Sequence, residues 1–226
     1  MAMAQQKTLK QRLHAKESIH IAFVTLEASE QELAAKLAQE TYDLVHVDAQ
    51  HTPLNDRKLV DFCQRANGLN VPAQLRIRHT RQAYLIGRYL DFGLFSVVVP
   101  QVETEATVDE AIEAFYYPPL GKRSWWPQWG YGFERGREQR EYADWWNANG
   151  VLVLQLESVP AILNVRQLAK PGVDMFAFGA ADLGLSIQAT PNSPFSSFEE
   201  CHNHVLEQTQ DLPIKVGASK SQVGRM

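Results

Sequence analysis

Three polar side chains follow one of the most apolar stretches of the chain, where a buried strand is expected to end. Asp48, Gln50 and His51 come directly after the largely apolar run 44–47. In α/β proteins such groups emerge into clefts at the carboxyl ends of strands. The segment is a candidate site, although Asp and His capping an ordinary strand end would give the same pattern.

More polar groups end three later strand-like segments. Arg76 and Arg78 belong to the third segment, Gln155 and Glu157 end the fifth, and Asp182 follows the sixth. A hard divalent cation such as Mg²⁺ or Mn²⁺ needs only one or two protein carboxylates when substrate oxygens and waters complete its shell. A single carboxylate at a strand end is more often a cap or a surface charge. Two on adjacent strands, with an arginine and a histidine nearby, predict a metal-assisted site.

Strand-like and helix-like segments alternate along the chain and would position these groups. Strands are predicted at 19–24, 44–47, 72–77, 95–99, 151–156, 173–178 and 213–216. Helices are predicted at 56–67, around 83–90, at 138–147 and at 160–168. Capping boxes predict three further helix starts, at Ser29/Glu32, Thr107/Glu110 and Ser196/Glu199, and the second of these helices runs to about residue 115. Alternation with continuously apolar strands indicates parallel βαβ units covered on both faces. We expect one α/β domain over residues 1–226, of the (β/α)8 TIM-barrel type.

Composition limits the classes of partner. The 226 residues are 45% hydrophobic and carry a formal net charge of −4, and no element has a basic stripe, so we expect no nucleic-acid partner. No apolar run reaches the roughly 18 residues that span a bilayer, and the first residues are polar, so we expect neither a membrane partner nor export. Cys63 and Cys201 are isolated in sequence, which favours a reduced, cytoplasmic setting.

Six segments, taken together, resemble a known family. They are residues 42–51, 89–93, 98–102, 117–123, 154–158 and 179–183, and they occur in the family's order between about 19 and 216. The family is that of the HpcH/HpaI aldolases, which are metal-dependent pyruvate aldolases of the phosphoenolpyruvate/pyruvate barrel superfamily. The resemblance implies a carbon–carbon lyase that acts on 2-keto acids through a pyruvate enolate, with an aldehyde or keto acceptor.

The resemblance also implies roles for individual residues. Glu157 and Asp182 would be the protein ligands of a divalent cation, with Mg²⁺ or Mn²⁺ favoured and Co²⁺ as a further option. The backbone amides of Ala181 and Asp182 would hold the pyruvate carboxylate, and Gln155 would also bind the substrate.

Three further residues match the family's catalytic groups. Arg76 would lie against the enolate oxygen, with Arg78 as the alternative because the alignment there needs a shift of one residue. A fixed guanidinium at that point supplies positive charge where negative charge develops. His51 would be the general base and Asp91 the acid that orients it.

The sequence departs from the family pattern near these positions. Gln50 stands where the family has a glutamate before the histidine, and His79 and Thr80 stand where the arginine strand usually runs into proline. These changes suggest a different acceptor or a retuned reaction. The alternatives are a condensing enzyme of the same fold that uses pyruvate or oxaloacetate, a Schiff-base aldolase using Lys215, and a non-catalytic barrel subunit.

The seventh strand is close to the last residue of the sequence, so the final helix–strand–helix of the family is expected to be absent. An open sheet would leave unpaired edges. Three explanations are open: a shortened chain, an N-terminal helix near 9–13 that covers the edges, or another subunit that completes the barrel. We expect a homo-oligomer, with the aromatic segment 125–133 in its contact.

Overall fold

Seven parallel strands form one curled sheet in the computed structural model, which describes residues 7–217. Each strand pairs with the next along the chain, in the order β1 to β7. The strands are β1 (Ile21–Phe23), β2 (Leu44–Asp48), β3 (Ala73–Arg76), β4 (Ser96–Val99), β5 (Val151–Leu156), β6 (Met175–Phe178) and β7 (Lys215–Val216). The prediction of an α/β barrel-type sheet is confirmed.

Helices connect successive strands. They are α1 (Leu9–His14), α2 (Glu30–Leu37), α3 (Asp56–Gly68), α4 (Ile86–Asp91), α5 (Glu105–Phe115), α6 (Gln139–Asn149), α7 (Val159–Leu163), α8 (Val165–Leu168), α9 (Ala180–Ala189) and α10 (Phe198–Gln208). A 3-10 helix at Thr80–Leu85 leads into α4. The single helix predicted for 160–168 is divided at Asn164, and α9 was not predicted. Within residues 7–217 no helix has both the length and the apolar character required to span a membrane.

Helix starts follow side-chain capping, but two of the three predicted boxes are misplaced. Ser29 caps α2 in the predicted box with Glu32. At α5 the cap is Thr104, whose hydroxyl accepts from the amide of Thr107, so the helix begins before the predicted box. At α10 the cap is Ser197, one residue later than predicted.

Strand register aligns the polar residues inside the sheet. His46 pairs with Gln74, and Gln74 with Ser96, so their side chains form a buried chain of hydrogen bonds across β2, β3 and β4, at 2.7 and 2.8 Å. Two residues further along, Asp48 pairs with Arg76 on the same face, because side chains alternate with a period of two. The register that aligns the buried chain therefore also aligns two of the candidate site residues.

The sheet is open in the part of the chain that the structure describes. β1 and β7 are its two edges and do not pair with each other. Phe23 of β1 is 64% exposed and lines a cleft of about 600 Å³ between the two edges. Helix α1 does not fill this cleft, because its buried Leu13 packs with Val151 and Val153 of β5.

A buried cluster of charged and polar groups fixes α1 to the start of β6. Asp174 is 1% exposed and accepts hydrogen bonds from the Leu152 amide (2.9 Å) and the Tyr116 hydroxyl (3.2 Å). The ammonium group of Lys10 forms an ion pair with Oδ2 of Asp174 at 3.4 Å. Nε2 of His14 lies 2.7 Å from the other carboxylate oxygen, Oδ1. Burial lowers the pKa of Lys10, and Asp174 opposes that effect.

Replacing Asp174 is expected to destabilise the fold strongly. Asp174→Ala leaves Lys10 buried without its counter-charge, and removal of one partner of a buried pair typically costs about 3–5 kcal/mol. We expect a loss of that order in the free energy of unfolding, measured by urea denaturation. Asp211→Ala is the matched control, because Asp211 pairs with Arg166 on the surface and such pairs contribute about 0–1 kcal/mol. Equal losses in the two variants would contradict the role of the cluster.

Candidate active site

The paired side chains of Asp48 and Arg76 form the centre of the site. They end β2 and β3, and the guanidinium donates two parallel hydrogen bonds to the carboxylate, Nε to Oδ1 at 2.8 Å and Nη2 to Oδ2 at 2.5 Å. Nη1 of Arg76 reaches Oε1 of Gln155 on β5 at 3.4 Å. A bidentate pair of this kind holds the guanidinium plane in a fixed orientation. Arg76 and Gln155, both predicted to bind substrate, are therefore brought together.

Asp48 is also close enough to His51 for the charge of His51 to affect the pKa of Asp48. Burial alone would raise the pKa of Asp48, but hydrogen bonds from Arg76 and from the Gln50 amide (2.9 Å), with the charges of Arg76 and His51, lower it below its ordinary 3.8. Asp48 is thus a carboxylate at neutral pH. The His51 ring is exposed, and among residues 7–217 it makes no hydrogen bond. Its nitrogens face solvent next to a fixed negative charge.

Glu157, directly after β5, is a buried carboxyl group with one unsatisfied oxygen. The residue is 4% exposed. Its Oε2 accepts a hydrogen bond from the Gln101 amide at 2.7 Å, whereas its Oε1 has no partner among the described residues. Burial raises the pKa of Glu157, and the charge of Asp182 raises it further. A buried oxygen of this kind requires a proton or a cation beside it.

Backbone conformation on two neighbouring strands shapes the space around Glu157. Gln101 follows β4 with a φ of 50°, an uncommon value for a residue with a side chain, and this turns its amide towards the carboxylate. Gly179 follows β6, and a Cβ built there would lie 2.0 Å from Oε1 of Glu157. The φ of Gly179 is −92°, so glycine is required here for space and not for conformation.

Asp182 completes the carboxylate pair. It lies in the first turn of α9, which begins at Ala180 directly after Gly179, and it is exposed. Asp182 and Glu157 line one cleft of about 410 Å³ at the mouth of the sheet. Ala181, predicted to contribute a backbone amide, precedes Asp182 in the same helical turn.

The donor set agrees with a hard cation that shares its shell with a substrate. No three His, Cys, Asp or Glu side chains within 7–217 are arranged to hold a metal by themselves. Glu157 and Asp182 provide two carboxylates, and Oε1 of Glu157 is buried with no hydrogen bond from the described part of the chain. Mg²⁺ and Mn²⁺ keep several sites for water and substrate oxygens, so two protein ligands suffice. The residues present fit such an ion.

Two other predicted residues lie elsewhere within the chain. Asp91 ends α4, five residues before β4 begins, and pairs with the buried guanidinium of Arg123 at 2.6 Å. Burial raises the pKa of Asp91, against the effect of Arg123. Within one chain, therefore, Asp91 neutralises Arg123 and does not contact His51. The alternative arginine, Arg78, donates to the carbonyl oxygen of Leu54 and so is held away from Asp48.

Lys215, the Schiff-base alternative, is the first residue of β7. Its ammonium group donates to the carbonyl oxygen of Lys16 at 2.8 Å. It lines the cleft between the sheet edges and not the cleft that holds Glu157.

Sequence reasoning missed three contributors to the site. Asp48 was noted in the polar cluster but was not recognised as the partner of Arg76. The only signal was position, because both residues are the last of adjacent strands. Gln101 and Gly179 act through their backbones, and their only signals in the sequence are weak: a proline before Gln101 and a glycine after an apolar strand.

Comparisons with known proteins place the whole sheet in one family. A family model described as HpcH/HpaI aldolase/citrate lyase matches residues 22–216. A 2-dehydro-3,6-dideoxy-6-sulfogluconate aldolase from Pseudomonas putida is 29% identical over 66% of this chain, and the match spans 58% of that relative's length. A hydroxypyruvate/pyruvate aldolase from Paraburkholderia phytofirmans is 24% identical over 92% of this chain and 81% of its own.

A solved structure shows the same fold. The HpcH/HpaI aldolase from Desulfitobacterium hafniense superimposes with a TM-score of 0.80 at 22% identity, over 97% of this chain and 85% of that one. At this level of identity the likeness establishes the arrangement of the strands and helices.

Proposed function

Because the chain belongs to the HpcH/HpaI aldolase/citrate lyase family, we propose that it is a divalent-metal-dependent carbon–carbon lyase that cleaves or forms 2-keto acids through a pyruvate enolate. The observation that carries this proposal is Glu157, a buried carboxyl group whose Oε1 has no hydrogen-bond partner within residues 7–217 and which lines the same cleft as Asp182. That arrangement suits a cation ligand. The matching family is that of aldolases and citrate lyases, and the relatives compared above are named as aldolases.

Glu157 and Asp182 would hold the cation, with Mg²⁺ or Mn²⁺ favoured by their oxygen ligands and Co²⁺ as a further option. When bound, such an ion acts as a Lewis acid on the keto and carboxylate oxygens of the substrate. The Gln101 amide keeps Oε2 of Glu157 in place and leaves Oε1 free for the ion.

Arg76 would stabilise the negative charge that develops on the keto oxygen. Asp48 holds its guanidinium rigidly, and Gln155 contacts Nη1, so little reorganisation is needed as charge develops. The backbone amides of Ala181 and Asp182, in the first turn of α9, would bind the pyruvate carboxylate. The substrate would thus be held from the β3 side and from the β6 side of the mouth.

His51 would take and return the proton at C3 of pyruvate, or the proton of the acceptor hydroxyl during cleavage. Its ring is exposed at the mouth, and the charge of His51 is one of the contributions that lower the pKa of the Asp48 carboxylate. Asp91 was predicted to orient the ring, but within one chain it is bound to Arg123. We therefore assign the local electrostatic support of His51 to Asp48.

The condensing alternative shares the enolate chemistry and differs in the acceptor. Gln50 replaces an acid beside the base, and its Oε1 is buried without a partner among the described residues, so the surroundings of His51 differ from the family pattern. The Schiff-base alternative has less support, because Lys215 lies away from Glu157 and Asp182.

We also propose that the protein is a cytoplasmic homo-oligomer. Cys63 and Cys201 are both free and buried, in keeping with a reducing compartment. Phe23 at the open edge is exposed, and so are Trp126 (66%) and Trp129 (48%) in the aromatic segment 125–133. Large apolar side chains on a surface commonly mark an interface. Light scattering at several concentrations tests this, and a stable monomer at micromolar concentration would refute it.

Exchange of the C3 protons of pyruvate with deuterium, followed by NMR, tests the proposed function without knowledge of the acceptor. The wild type is expected to exchange them after addition of Mg²⁺ or Mn²⁺ and to stop when EDTA is added. Glu157→Gln, which removes the charge but keeps the shape, should lose the exchange. Glu110→Gln is the control, because Glu110 is an exposed residue on α5. Full exchange in EDTA, with pyruvate trapped on Lys215 by borohydride, would contradict the metal mechanism.

Replacement of His51 tests the assignment of the base. General-base catalysis commonly contributes about 10²–10⁴-fold, so His51→Ala should slow the exchange by that order. His20→Ala is the control, because His20 is exposed ahead of β1. Within one chain Asp91 is paired with Arg123. If Asp91→Asn slowed the exchange as much as His51→Ala does, the site would therefore need a residue from a second chain.

A further inference from the structure

The cleft that holds Glu157 and Asp182 has a second wall that the proposed mechanism does not use. His79, Thr80 and Arg81 line it from the beginning of the 3-10 helix after β3. In this segment the sequence has His79 and Thr80 in place of the proline typical of the family. These side chains therefore line the same cleft as the proposed cation ligands, and they belong to this chain's own pattern.

Arg81 is a cation without a counter-ion. Its side chain is exposed, and across residues 7–217 its guanidinium makes no hydrogen bond or ion pair. The neighbouring arginines differ, because Arg76 is bound to Asp48, Arg78 to a backbone carbonyl, and Arg88 to Asp56. Of these four arginines, Arg81 has its guanidinium available to a ligand in the cleft.

The ring of His79 is fixed beside it. Nδ1 accepts a hydrogen bond from the Arg81 amide at 3.0 Å and lies 3.1 Å from the Thr80 hydroxyl. Because Nδ1 is an acceptor, the proton of the neutral imidazole is on Nε2, which is left free as a donor. His79 and Arg81 therefore present two adjacent hydrogen-bond donors in the cleft.

Other residues that line this cleft are acidic. Glu157 and Asp182 are acidic, and a divalent cation between them would balance their charge. Glu103 in the same cleft accepts a hydrogen bond from the Ser158 hydroxyl. An elongated substrate would thus have its keto-acid end at the cation and its other end near Arg81.

We propose that His79 and Arg81 form an acceptor subsite that binds an anionic group on the carbonyl acceptor: a carboxylate, a sulfonate or a phosphate. The inference rests on the proposed function, since the acceptor is the second substrate of that reaction. Donors of this type make charge-assisted bonds with oxyanions, and an arginine can make two at once.

The test compares two aldehydes of similar length in aldol addition to pyruvate: 4-oxobutanoate, which carries a carboxylate, and neutral pentanal. The readout is the ratio of their kcat/KM values within each variant, so that any general loss of activity cancels. The wild type should prefer the anion by about 10- to 100-fold, the range of a charge-assisted hydrogen bond. Arg81→Ala should remove most of that preference, and Arg81→Lys should keep part of it.

Arg57→Ala is the matched control, because Arg57 is an exposed arginine on α3 paired with Asp61. Its ratio should equal that of the wild type. If the wild type exchanges pyruvate protons with metal but Arg81→Ala keeps the full preference, the subsite is wrong and the proposed function stands. If the wild type exchanges no pyruvate protons under any metal condition, the proposed function fails and the subsite with it.

Discussion

The carboxyl group of Glu157 is almost entirely removed from water, and only one of its oxygens has a hydrogen-bond partner in the described chain. Burying a carboxylate in this way is unfavourable unless a cation or a proton balances it. The backbone directly after β4 and after β6 has a geometry that preserves this arrangement. Gln101 has an uncommon backbone conformation, and its amide binds Oε2 of Glu157. Gly179 has no Cβ, and a Cβ at that position would collide with Oε1 of Glu157. The surroundings of Glu157 therefore keep a position for a ligand open.

The parallel register of the sheet brings the remaining groups to that position. Asp48 and Arg76 are partners in the pairing of β2 with β3, so their bidentate contact follows from the same register that buries His46 against Gln74. A slip of one residue in either strand would turn the site residue of that strand towards the helices. The chemistry and the sheet are thus specified by the same pairing, and the buried polar chain inside the sheet supports the site from below.

Much of this could be predicted from sequence, because strand cores are apolar and the ends of parallel strands meet. All seven strands and the positions of Glu157, Asp182 and Arg76 at strand ends follow from this rule. The rest depends on tertiary contacts. Apolar periodicity does not distinguish Thr104 from Thr107 as a cap, and a resemblance cannot reveal that Asp91 is bound to Arg123 inside the chain. The roles of Gln101 and Gly179 lie in their backbones, which side-chain patterns do not report.

The central claim is that Oε1 of Glu157 is a cation ligand kept accessible by Gly179. Binding of Mn²⁺, measured by electron paramagnetic resonance on the substrate-free protein, tests it without an activity assay. Gly179→Ala places a methyl group where Oε1 lies, and disturbing the support of a metal ligand typically weakens affinity about 10- to 100-fold. Gly184→Ala on the same helix is the control, because a Cβ there meets nothing within 4 Å. The account predicts weakened binding in Gly179→Ala and wild-type binding in Gly184→Ala; wild-type affinity in both variants would contradict it.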